Sequence, residues 1–67
     1  VELKLEGSSI VITGLSNPQV SVYDSAGVML IDKRGNSIPI TPLANGTYLV
    51  KIVCNGKTYS KKVLLSH

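Results

Sequence analysis

Thr47-Tyr48-Leu49-Val50-Lys51-Ile52-Val53-Cys54-Asn55-Gly56-Lys57-Thr58-Tyr59-Ser60-Lys61-Lys62-Val63-Leu64-Leu65 holds two β-prone runs separated by two residues. Asn-Gly suits a type I′ turn, which needs positive φ at both central positions, so the second run is expected to return antiparallel on the first. That turn sets Cys54 opposite Lys57, Ile52 opposite Tyr59, Val50 opposite Lys61 and Tyr48 opposite Val63. Side chains alternate along a strand, so one face carries Tyr48, Val50, Ile52, Cys54, Tyr59 and Val63. Lys61 fits this face poorly. Either its stem snorkels to the rim, or a bulge near Lys61-Lys62 shifts the register.

Upstream the pattern is again strand after strand. Val1, Leu3 and Leu5 alternate with Glu2, Lys4 and Glu6, the period of a half-buried strand, until Gly7-Ser8-Ser9 interrupts it. Ile10 to Thr13 is a β-branched run closed by Gly14 and Asn17-Pro18. Val20 to Tyr23 forms a third strand, followed by the turn Asp24-Ser25-Ala26-Gly27, in which Asp bonds backbone amides and Gly takes positive φ. Val28 to Ile31 is the fourth strand, and Asp32 to Asn36 reads as an exposed charged loop. Pro39, which lacks an N–H, confines Ile38-Pro39-Ile40 to a sheet edge or an irregular stretch. Thr47 to Cys54 is the longest run and the expected central strand. No segment keeps helical periodicity over ten residues. The fold class is all-β, a small immunoglobulin-like antiparallel sandwich of six or seven short strands, with residues 1–67 as one domain.

Composition supports an ordered but small core. Hydrophobic residues make up 43% of the 67, rich in Val, Ile and Leu, with three Tyr and no Phe or Trp. A chain this short buries only about 60% of its unfolded surface, which leaves little room for a large catalytic cleft. Charge is uneven along it. Up to Asp32, four acids oppose Lys4, a sum of −3; from Lys33 onward Lys33, Arg34, Lys51, Lys57, Lys61 and Lys62 give +6. Lysines on strands protect sheet edges, and they also attract anionic partners. Nucleic acid is disfavoured as that partner, because only Tyr48 and Tyr59 lie near the lysines as stacking platforms.

Catalytic chemistry finds no footing. Cys54 is the one cysteine and His67 the one histidine, so neither an intrachain disulfide, nor a structural zinc site, nor a Cys-His or Ser-His-Asp set is expected. Cys54 reads as a small hydrophobe at a strand end. The four acids show no paired spacing and no calcium-loop pattern, and Asp24 is explained by its turn. No cofactor is expected. No apolar run reaches membrane-span length, and Val1 to Ile10 is unlike a secretory signal, so any export address is expected upstream of this Val1 start.

Three blocks then carry a resemblance: Val20-Ser21-Val22-Tyr23-Asp24-Ser25-Ala26-Gly27-Val28-Met29-Leu30, Leu43-Ala44-Asn45-Gly46-Thr47-Tyr48-Leu49-Val50-Lys51-Ile52, and Gly56 to Leu65 with its Lys61-Lys62-Val63-Leu64-Leu65 ending. In order and spacing they resemble the C-terminal sorting domains of type IX secretion cargo, type A-like. The likeness covers residues 10–65. It departs from the family in lacking an Asn-Pro opening strand, in having Val28 where a basic residue is common, and in ending at His67.

The resemblance implies a non-catalytic address. Cargo carrying it is exported to the periplasm, recognised by the outer-membrane type IX translocon and delivered to the cell surface or beyond. A sortase-like peptidase then removes the domain and joins the cargo to anionic lipopolysaccharide, or the domain is retained. On this reading Tyr23, Asp24, Gly27, Gly46, Tyr48 and Lys51 are motif positions with structural roles. Lys61, Lys62, Val63, Leu64 and Leu65 are candidates for translocon recognition. Lys57, Lys61 and Lys62 are candidates for contact with an anionic partner, lipopolysaccharide included. An open edge also allows weak homodimerisation. The rival reading is a generic immunoglobulin-like accessory or spacer module of a secreted hydrolase or adhesin, because folds of this kind host many functions.

Overall fold

In the computed structural model, which describes residues 1–66, seven strands follow one another: β1 (Glu2–Glu6), β2 (Ser9–Thr13), β3 (Gln19–Tyr23), β4 (Met29–Arg34), β5 (Ser37–Pro39), β6 (Gly46–Cys54) and β7 (Lys57–Leu65). They form two antiparallel sheets, ordered β1-β2-β5 and β4-β3-β6-β7. Between the sheets lies a core of Ile10, Ile12 and Ile38 from the smaller sheet and Val20, Val22, Tyr48, Val50, Ile52, Val63 and Leu65 from the larger, with Ile40 beside them. This is the expected sandwich. Burying each such aliphatic side chain is worth about 1.5–3 kcal/mol, the main term holding a fold with so few residues.

The β6–β7 hairpin has the register its turn dictates. Asn55 and Gly56 have φ of 51° and 77°, and pairing runs unbroken from Cys54 opposite Lys57 to Gly46 opposite Leu65. Lys61 stays opposite Val50 with no bulge. Its exposed side chain borders a small cleft with Val1, Leu3, Ile52 and Tyr59, so the rim position resolves the choice. The register shift falls instead between Val22 and Tyr23, where Leu30 of β4 is the extra residue.

Two expectations are corrected. Asp32, Lys33 and Arg34 belong to strand β4 rather than to a loop, pairing with Ser21, Val20 and Gln19. Ladder pairing outweighs their low β-propensity, and Asp32 accepts hydrogen bonds from the Gln19 amide and, at 3.3 Å, the Ser21 hydroxyl. The apolar face of β1 is also less buried than its alternation suggests: Leu3 is half-buried, but Leu5 and Val1 are exposed. The strand lies at the outer edge of the smaller sheet and gains cover on one flank only.

Asn36 ties the crossing between the sheets. Its side-chain nitrogen donates to the carbonyls of Ile12 (3.0 Å) and Leu15 (2.7 Å), and its Oδ1 accepts from the Asn17 amide at 3.3 Å. The Ile12 amide donates to the Asn36 carbonyl at 2.8 Å. One amide side chain thus satisfies the backbone where β2 leaves one sheet and the chain re-enters it at β5. Pro39 sits in the edge strand β5, where no outer neighbour needs its missing N–H.

Candidate functional site

The outer face of the four-stranded sheet and its β7 edge gather most of the residues singled out from sequence. Alternation along β6 turns Tyr48, Val50, Ile52 and Cys54 inward and Thr47, Leu49, Lys51 and Val53 outward. The cross-strand registers set Tyr23 beside Leu49 and Leu49 beside Lys62 on that outer face. Above this row rises the turn after β3. Asp24 shapes it: its Oδ1 accepts from the amides of Ala26 and Val28, both at 2.9 Å, while its backbone N–H donates to the Val28 carbonyl. Gly27 closes the turn with φ of 85°, a conformation that L side chains rarely adopt.

Turn and sheet together enclose an open groove of about 500 Å³ lined by Tyr23, Asp24, Ser25 and Gly27, by Thr47, Tyr48, Leu49 and Lys51, and by Lys62. Five of the six motif positions therefore meet at one place. Gly46, with φ of 153° at the start of β6, stands outside the groove. Tyr48 keeps its ring in the core and donates its hydroxyl to the Ala44 carbonyl at 2.7 Å, bracing the loop before β6. Leu49 and Thr47 are lining residues that the sequence reading passed over. The signal for Leu49 was present, since it is an apolar side chain on the outward parity of a strand.

The terminal candidates separate by parity. Val63 and Leu65 are buried in the core, whereas Lys61, Lys62 and Leu64 are exposed, Leu64 at 68%. Lys57 is exposed beside the hairpin turn. Expectations that involve His67 lie outside the described residues. Strand β7 is an edge, and among the described residues nothing pairs on its far side. In a two-residue hairpin the residues flanking the turn form the first hydrogen-bonded pair, and pairs alternate from there. Thr58, Ser60, Lys62 and Leu64 consequently direct their main-chain groups away from β6, toward open solvent.

Among the described residues no cluster of three or more His, Cys, Asp or Glu side chains could hold a metal ion, and no helix is long and apolar enough to cross a membrane. Cys54 is buried and donates its thiol to the Ser16 carbonyl at 3.6 Å. What the architecture offers is a surface: a small all-β module with one long open edge beside a basic, partly apolar groove. A family model described as the secretion system C-terminal sorting domain matches residues 2–66, and the chain belongs to that family, the sorting domains of type IX secretion. Such domains are in general non-catalytic, act as secretion signals that engage the export machinery, and direct proteins toward the cell surface or the extracellular space. No curated protein and no solved structure matches the chain.

Proposed function

We propose that the chain is a single non-catalytic domain whose β7 edge is the element read by the outer-membrane type IX translocon, through addition of a partner strand. The carrying observation is the edge itself: nine residues long, without proline or bulge, with outward main-chain groups at Thr58, Ser60, Lys62 and Leu64. Main-chain hydrogen bonds would supply affinity, and Lys61, Lys62 and Leu64 would supply side-chain contacts. Val63 and Leu65 anchor the strand from inside and act by holding it in place. Lys57, Lys61 and Lys62 make the same edge attractive to anionic partners, lipopolysaccharide among them, and repel a second copy of the strand. A sortase-like peptidase would act on the cargo after delivery.

The test is to fuse residues 1–67 to an exported fluorescent reporter in a type IX-competent bacterium and follow its location. Removing Lys61 to His67 deletes core residues Val63 and Leu65, so a second variant is needed. Ser60→Pro blocks the outward N–H at mid-edge while leaving the bonds to β6 in place. Surface delivery by the intact domain, lost in Ser60→Pro with folding intact, is the expected outcome, and the delivered reporter's mass shows whether the domain is removed. Periplasmic retention of the folded intact fusion would favour the spacer reading.

A further inference from the structure

The groove between the β3–β4 turn and β7 carries three polar groups with nothing to do inside the molecule. Among the described residues, the Lys51 and Lys62 ammonium groups and the Tyr23 hydroxyl have no hydrogen-bond or ion-pair partner. Of the nearby carboxylates, Asp24, on the turn side of the groove, accepts its two turn amides on Oδ1, and Asp32 accepts from Gln19 and Ser21 on Oδ1, so neither is paired with a lysine. Beneath these donors lies apolar surface from the Tyr23 ring and from Leu49, which is 41% exposed. Two unpaired ammonium groups and a hydroxyl over an apolar floor, against the single carboxylate of Asp24 at the turn, are complementary to a ligand that is both anionic and apolar.

Lys62 indicates what form that ligand takes. Its side chain lines the groove while its main chain faces the open edge of β7. A strand laid on that edge would run about 4.8 Å from β7 and turn every second side chain onto the outer face, next to Lys62 and Leu64. We infer that the groove is the side-chain specificity pocket for the strand that adds to β7, and that this partner is an extended peptide segment presenting acidic residues alternating with a large apolar residue on one face. This deepens the strand-addition reading by naming the chemistry of the partner. A lipid would satisfy the groove but leave the row of open main-chain groups beside it unused, which favours the peptide.

The inference is tested by amide NMR titration of the 67-residue chain with acetyl-Thr-Glu-Thr-Leu-Thr-Glu-Thr-amide, its Gln and Lys analogues, the analogue with Ala for Leu, and sodium dodecanoate. Binding of the Glu peptide should shift amides at Tyr23, Leu49, Lys51 and Lys62 together with Thr58 to Leu64. Lys51→Gln and Lys62→Gln should each weaken it about two- to fivefold, an effect that shrinks at high salt, whereas Lys33→Gln, on β4, should not. The Ala analogue should bind more weakly and the Lys peptide not at all. Equal binding of the Glu, Gln and Lys peptides, or shifts confined to β7, would overturn the groove inference and leave strand addition standing. Groove shifts that persist in Ser60→Pro would remove strand addition and keep the acidic, apolar ligand. Occupancy by dodecanoate alone would replace the peptide with a lipid, and silence toward every probe at millimolar concentration would overturn the inference outright.

Discussion

Two edge strands of this sandwich are managed in opposite ways. Strand β5 closes the smaller sheet with three residues, one of them Pro39. Strand β7 closes the larger sheet with nine residues, no proline and an unbroken register. Proteins commonly blunt exposed edges because unpaired N–H and C=O groups template unwanted pairing. At β5 the protection is geometric and permanent. At β7 it is only electrostatic, through Lys57, Lys61 and Lys62, and electrostatic protection excludes like charge while admitting its opposite. An edge guarded that way resists copies of itself, holding any self-pairing to a weak dimer, and attracts a partner of opposite charge.

The sharpest way to break the comparison lies within β7 itself, where neighbouring leucines should behave as residues of different kinds. Leu65→Ala removes a side chain only 3% exposed and should cost about 2–5 kcal/mol in urea unfolding, much of the stability of so small a fold. Leu64→Ala, one residue away on the outer face, should stay within about 0.5 kcal/mol. Similar losses for both would mean that β7 does not present one face outward, and its candidacy as a docking edge would fall.

Next in size is the parity of the main chain. Lys61→Pro deletes an N–H that the alternation directs into β6 and should cost about 1–3 kcal/mol, whereas Ser60→Pro deletes an outward one and should be far milder. Thermal melts of the two variants compare them directly. Below these stands Asp24→Ala, which strips two hydrogen bonds from the turn above the groove and should lose about 1–2 kcal/mol. Its amide exchange should quicken at Ala26 and Val28 and leave β5 unchanged.

Much of this was legible in sequence because it rests on local rules. Asn55-Gly56 fixes a register, Pro39 marks an edge, and Asp24 with Gly27 specifies a turn. What was not legible depends on pairing between distant segments. Nothing local in Asp32-Lys33-Arg34 announces a strand; β3 imposes it. The Val22/Tyr23 shift and the three-way clamp of Asn36 likewise exist only once the sheets are assembled. The groove belongs to the same class: Tyr23, Leu49 and Lys62 come from three strands, and only the registers bring them into one row.

The smallest expected effect tests what kind of protection β7 has. In antiparallel pairing of β7 with a second copy, registers that overlap most of the strand put Lys61 or Lys62 directly opposite or diagonal to a lysine of the copy. Like charges so placed cost about 0.2–1 kcal/mol per pair, and the aligned main chains would otherwise gain from pairing. Replacing Lys57, Lys61 and Lys62 with Gln removes that repulsion while keeping the length and hydrogen-bonding capacity of exposed side chains. Sedimentation equilibrium should then reveal a weak dimer in the triple variant, and Ser60→Pro added to it should abolish the dimer. High salt should bring the unaltered chain part of the way, because surface charges are screened. A triple variant that stays monomeric at millimolar concentration would show that β7 is blunted by something other than charge, and the contrast with β5 would lose its meaning.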